Sequence, residues 1–228
     1  MGEKDMSSSL GFLQALRFLH HGVEGDVYLG ENTSQPSLKY KRSLKVGKNN
    51  TLWVEALYTQ IENGNTILKV STQIRGGKVL GYKVEDLESG LRASLHVRFW
   101  GIVHQLKIED NGTKNFSFWG RNIIHPGQLS WISPQQWRDL DNQRSFSYLL
   151  MLMERGKTIP VVLWKDEEQT SLETATLTLE SIDSGAQFPS SQLIFCRKTG
   201  RIKKTSGYIY PRPHYGRVIY RYPIHEMV

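Results

Sequence analysis

Two Asn-Gly dipeptides, Asn63-Gly64 and Asn111-Gly112, sit between runs rich in β-branched and aromatic residues. Such a dipeptide is the strongest short-range hairpin signal, because both residues tolerate the positive φ of a type I′ turn. It also implies a register. With Asn111 and Gly112 as a two-residue loop, Asp110 lies opposite Thr113, and Glu109 opposite Lys114 as an opposite-charge pair. One hairpin face then carries Trp100, Ile102, His104, Leu106, Ile108, Trp119 and Ile123, the expected core. The other carries Phe99, Val103, Lys107, Lys114, Phe116 and Phe118. Aromatics and lysines mixed on one sheet face suit a stacking platform for nucleic acid, and equally an ordinary sheet buried on both faces. The same logic applied to Asn63-Gly64 puts Trp53, Leu57, Ile61, Leu68, Val70 and Ile74 on one face.

Further strands are expected near Leu38–Val46, Lys78–Glu85, Ile159–Trp164, Thr174–Ile182, Gln192–Arg197, Tyr208–Tyr210 and Val218–Tyr222. Val79 and Tyr82, three residues apart, break the period-two phase of theirs. Two helices are expected. Ser7-Ser8-Ser9, an amphipathic run to His21 and then Gly22 predict a short N-terminal helix. Ser133-Pro134 with Gln136 predicts the start of a longer one near 134–155, with a strand through Phe146–Met153 as the competing reading. The expected fold is therefore α+β and β-rich: about eight to ten mostly antiparallel strands in a curled sheet or sandwich, with those two helices. No linker marks a second domain, so a single domain spans residues 1–228.

Charge is distributed unevenly. Residues 197–228 hold eight cations against one carboxylate, Glu226, which accounts for the whole formal charge of +7. Residues 1–196 carry 21 charges of each sign. The basic segment interleaves Arg197, Lys198, Arg201, Lys203, Lys204, Arg212, Arg217 and Arg221 with Tyr208, Tyr210, Tyr215, Tyr220 and Tyr222. Arginine offers bidentate phosphate contacts and tyrosine offers stacking faces for unpaired bases. The same pattern also fits a solvated strand pair with its tyrosines packed inward. A second basic cluster, Lys39, Lys41, Arg42, Lys45 and Lys48, has Tyr40 inside it.

Signatures of other chemistries are missing. There is no phosphate-binding glycine loop, dinucleotide fingerprint or nucleophile elbow. Cys196 is the single cysteine, which rules out an intrachain disulfide and reads as a buried, inert thiol. His96 and His104, read on one strand, would lie about 26 Å apart, too far to share a metal. No cofactor or metal is expected. No apolar run reaches the roughly 18–20 residues of a membrane span, and no secretory leader is visible.

The expected function is a non-enzymatic nucleic-acid-binding protein of the cytoplasm. Its ligand is RNA or single-stranded nucleic acid, and its partners are other subunits of a nucleoprotein assembly. The expected binding residues are the basic and tyrosine positions of 197–228 (Tyr222 excepted), with Lys107, Lys114, Phe116, Phe118, Lys39, Lys41 and Arg42. Three other classes use similar residues: a matrix-like structural protein bridging acidic membrane and nucleoprotein, a metal-independent ribonuclease, and a protein-interaction module.

Overall fold

A computed structural model describes residues 23–29, 34–75, 78–98, 101–108, 112–119, 123–124, 145–153, 156–182, 190–197, 202–207 and 218–221. Its strands are β1 (Val23–Leu29), β2 (Leu38–Val46), β3 (Thr51–Gln60), β4 (Thr66–Arg75), β5 (Lys78–Asp86), β6 (Arg92–Val97), β7 (Gly101–Ile108) and β8 (Gly112–Trp119). They continue with β9 (Ile123–Ile124), β10 (Ser145–Leu152), β11 (Lys157–Lys165), β12 (Thr174–Ser181), β13 (Ser191–Cys196), β14 (Ile202–Gly207) and β15 (Val218–Arg221). Their hydrogen-bonded order is β8-β7-β6-β5-β4-β3-β2-β1-β15-β14-β13-β12-β11-β10-β9. Two antiparallel meanders, β2–β8 and β10–β14, thus flank β1 and β15, with β9 added parallel to β10.

This corrects the α+β expectation. Among the described residues the fold is all-β with fifteen strands, and its one helical element is a 3-10 turn at Lys48–Asn50. The N-terminal helix, residues 134–144 of the longer one, and the Tyr208–Tyr210 strand lie outside the described residues. From Ser145 onward the longer helix is instead β10, antiparallel to β11 and parallel to β9. Period two explains the result. Phe146, Tyr148, Leu150 and Leu152 alternate onto one face, where they pack with Ile159, Val161 and Leu163. The helical phase of Tyr148 and Met151 is coincidental.

The Asn-Gly sites are turns, but neither is a two-residue loop. Ile108 pairs with Gly112, so the second loop is residues 109–111, with Gly112 at φ +70° closing it. In the first, Gln60 N–H donates to Asn65 O and Gly64 N–H to Gln60 O, leaving residues 61–64 as the loop. Gly64 has φ +71°, whereas Asn63 is not left-handed. The Asn63 Oδ1 instead accepts from the Asn65 N–H at 2.8 Å, an Asx turn. Two consecutive left-handed residues of the kind expected there occur at Asn49 (φ 55°) and Asn50 (φ 54°), between β2 and β3.

At β7–β8 the three-residue loop, and at β3–β4 a bulge between Tyr58 and Thr59 just beyond the four-residue loop, leave the register an odd number of residues from the expected one, which exchanges the two faces of each hairpin. Trp53 pairs with Gln73, not Ile74, and Lys114 pairs with Leu106, not Glu109. Trp53, Leu57 and Ile61, expected in the core, are 40%, 37% and 44% exposed, and Trp119 is 74% exposed. The buried face is Leu52, Val54, Ala56 and Tyr58. The phase break in β5 is a bulge. Ile74 pairs with Val79 and Gln73 with Gly81, so Leu80 is the extra residue and both Val79 and Tyr82 reach the buried face. The long strand expected from Leu91 is two, β6 and β7. Leu95 therefore lies opposite His104 and His96 opposite Val103, correcting the wide separation of these histidines.

Two compact units are distinguishable: residues 1–24, 40–121 and 153–156, and residues 25–39, 122–152 and 157–228. The division falls within β1 and β2, not at a linker. The first unit buries Leu52, Ile74, Val84 and Leu95. The second has a core of Ile124, Leu150, Leu152, Ile159, Val161, Leu163, Leu177, Leu179, Leu193 and Phe195. Among the described residues no helix is long and apolar enough to cross a membrane.

Two glycines with nearly the same φ separate strain from packing. A Cβ at Gly112 (φ +70°) meets nothing within 4 Å, so Gly112→Ala is expected to cost about 1 kcal/mol, the backbone term alone. At Gly156 (φ +59°) a Cβ would stand 2.5 Å from the Phe116 ring. Gly156→Ala should therefore cost roughly 2–4 kcal/mol. Urea unfolding of the two variants checks this, and equal losses would contradict it.

Candidate nucleic-acid interface

β14 is built around two adjacent lysines. Its first residues would phase simply against β13, but the ladder pairs Ile194 with Lys204 and Phe195 with Ile202. Lys203 is thus the extra residue of a β-bulge, a device that re-aims a side chain. Both lysines are half-buried, and among the described residues neither has an ion-pair partner. Thr205, Ser206 and Gly207, which follow, are buried.

β15 lies between β14 and β1, so the basic C-terminal segment enters the sheet ladder. Arg221 is opposite Lys204 on one side and Asp26 on the other. The Asp26 carboxylate accepts from Lys39 Nζ at 2.5 Å. Neighbouring strands stand about 4.8 Å apart. The row Lys204, Arg221, Asp26 therefore sets these three positions side by side across the sheet, with Lys39 held on Asp26. One residue along, Tyr220 is opposite Val27 and Thr205, both buried, which puts its position on the inward side of the strand. Of Tyr220, Arg221 and Lys107 the structure describes the backbone. Lys198, Arg201, Tyr208, Tyr210, Arg212, Tyr215 and Arg217 lie outside the described residues. Arg197 is exposed, and its guanidinium donates to Ser171 O at 3.2 Å.

The second basic cluster is largely neutralised locally. Lys39 pairs with Asp26, Lys41 with Glu24 at 3.0 Å, and Lys45 with Glu55 at 2.6 Å. Tyr40 and Arg42 alternate to the other face. There the Tyr40 ring meets Tyr58 edge-on at 5.1 Å, and the Arg42 Nε is buried without a hydrogen-bond partner. Burial pushes the Tyr40 phenol above its usual value, against the opposing pull of the Arg42 guanidinium. On β5, the Lys83 hydrogen bond, at 2.8 Å, holds the Glu85 carboxyl below its ordinary range.

The hairpin platform does not assemble as expected. Lys107 is opposite Thr113, whereas Lys114, Phe116 and Phe118 are opposite Leu106, His104 and Ile102. The odd shift thus places Lys107 on one face and Lys114, Phe116 and Phe118 on the other. Phe116 and Phe118 stack at 6.4 Å, both half-buried, with Phe116 packed against Gly156. Lys114 is exposed.

Beside Lys204 the structure brings forward residues that sequence reasoning passed over. The register aligns Trp164, Thr178, Gln192 and Ser206 across β11–β14, on the side of the sheet that carries Lys204. The Gln192 amide donates to Gln169 Oε1 at 3.3 Å, and Thr176 Oγ1 donates to Gln169 O at 3.0 Å. No spacing rule reveals this row, because four different strands contribute to it. Cys196 is half-buried and reduced at the end of β13. Among the described residues no group of three or more His, Cys, Asp or Glu side chains is placed to hold a metal ion.

No family model matches the chain, and no curated protein matches it. Among solved structures it is similar to one described as a crystal structure of a beta-barrel-like protein of domain of unknown function DUF1849 from Brucella abortus. The two share 9% identity over 91% of this chain and 97% of that one, with a TM-score of 0.49. A likeness at that level bears on neither fold nor chemistry.

The buried Tyr40 phenol sets a pH dependence. Its pKa is raised in the folded protein, so the unfolded chain releases this proton first. Stability from this group is intact below about pH 10, the ordinary phenol value, and is lost as pH rises through the higher folded value. Tyr40→Phe should therefore flatten the alkaline fall in stability above pH 10. Melting temperatures of parent and variant between pH 8 and 11 check this.

Proposed function

We propose that this protein binds single-stranded nucleic acid, RNA foremost, along β14 and the basic segment after it, as a non-enzymatic subunit of a nucleoprotein assembly inside the cell. The observation that carries the reading is the side-by-side placement of half-buried Lys203 and Lys204, without carboxylate partners among the described residues, Lys204 being in register with Arg221. Isolated exposed lysines elsewhere are solvated and need no ligand. Two adjacent ammonium groups that are partly withdrawn from water and repel each other are stabilised by an anion bridging them. Lys39 and Lys41 are already ion-paired and contribute less net field than their number implies.

The measurement is anisotropy of a labelled oligouridylate over a salt series. Each phosphate contact on a single strand contributes about 0.7 to the slope of log K against log salt. Lys203→Gln with Lys204→Gln should therefore weaken binding and lower that slope by about 1.4. Lys39→Gln with Lys41→Gln should change it much less. An unchanged slope in the β14 pair sinks the reading.

A further inference from the structure

We propose that Trp164, Thr178 and Gln192 form a base-recognition strip beside Lys204, so that bases lie on β11–β13 while the phosphates track β14. The inference rests on the nucleic-acid reading above and assigns the half of the ligand that lysines do not contact.

The starting observation is an orphan. Thr178 is 2% exposed, and its Oγ1 has no hydrogen-bond partner. A buried hydroxyl that forgoes its hydrogen bond is costly, and Val would fill the same volume without that cost. Its neighbour Thr176, on the same strand face, satisfies its hydroxyl on Gln169 O, so the position of Thr178 does not follow from strand composition alone. The two residues flanking Thr178 in its row are Trp164 and Gln192, both half-buried. One offers an aromatic face. The other offers an amide held only by a 3.3 Å bond to another side chain, which a ligand can replace at little expense.

An aromatic plane, a hydroxyl and a carboxamide in one row, with an ammonium two residues along β14 that has no ion-pair partner among the described residues, match the parts of a nucleotide. Every base has a π-face for Trp164, and base edges carry donors and acceptors for Thr178 and Gln192. The backbone phosphate suits Lys204. Ile194, opposite both Thr176 and Lys204, supplies apolar contact between the two halves.

The test uses the full chain with two probes of equal length, an oligouridylate and an abasic oligomer with the same phosphates. Thr178→Val should melt no lower than the parent, since it removes only an unsatisfied hydroxyl. It should bind oligouridylate roughly three- to tenfold more weakly, one hydrogen bond's worth, and the abasic oligomer unchanged. Trp164→Leu should show the same selectivity with a larger loss. Undiminished oligouridylate affinity in both variants overturns the strip, as does an equal loss on the abasic probe. If the Lys203 and Lys204 variant still loses affinity in that case, the binding reading stands and only the strip falls. A parent that binds neither probe overturns both.

Discussion

Cross-strand register governs this structure. Each strand satisfies its backbone groups on its neighbours, and its side chains alternate with a period of two, so every buried face is set by which residue lies opposite which. Loop lengths and bulges decide that parity. A three-residue loop between β7 and β8, and a bulge at Tyr58/Thr59 beside the four-residue loop between β3 and β4, turn Trp53, Leu57 and Trp119 outward and bring Val54, Ala56 and Tyr58 inward. Bulges then correct phase where the sequence drifts, at Leu80 in β5 and at Lys203 in β14. In the second case the correction also sets two cations side by side.

The placement of β15 ties the charged end of the chain to the fold. Its four residues pair with β14 on one side and β1 on the other. Those partners start at residues 23 and 202, 179 residues apart, so this part of the ladder closes only once everything between them has been made. Non-local pairing of this kind is slow and entropically expensive. The basic segment is accordingly a structural strand as well as a source of positive field. Adjacent positions on it, Tyr220 and Arg221, fall in alternate rows of the ladder, one with Val27 and Thr205, the other with Asp26 and Lys204.

Electrostatics distinguish the two basic clusters that composition alone treats alike. Lys39, Lys41 and Lys45 lie within reach of Asp26, Glu24 and Glu55, so their charge is spent locally. Pairs this exposed add little stability. They do, however, flatten the field around β2. Among the described residues Lys203 and Lys204 have no carboxylate partner.

The sequence by itself determined the strand-rich character, the turns at Gly64 and Gly112, and the strands at 159–164, 174–182 and 192–197. These depend on local chemistry: positive φ at glycine, and β-branched or aromatic residues in alternation. It also located the net charge, which is additive and needs no fold. Tertiary structure decided the rest. Whether Phe146–Leu152 is helix or strand turned on the presence of β9 and β11 to pair with it, because an apolar run of that length satisfies either period. Which hairpin face is buried turned on one extra loop residue at β7–β8 and one bulge residue at β3–β4, a difference no local propensity encodes. The row of Trp164, Thr178, Gln192 and Ser206, with Lys204 two residues along from Ser206, exists only because four strands, spread over some forty residues of chain, align in register. Sequence spacing carries no trace of such a row, since its members are neighbours across hydrogen bonds and not along the backbone.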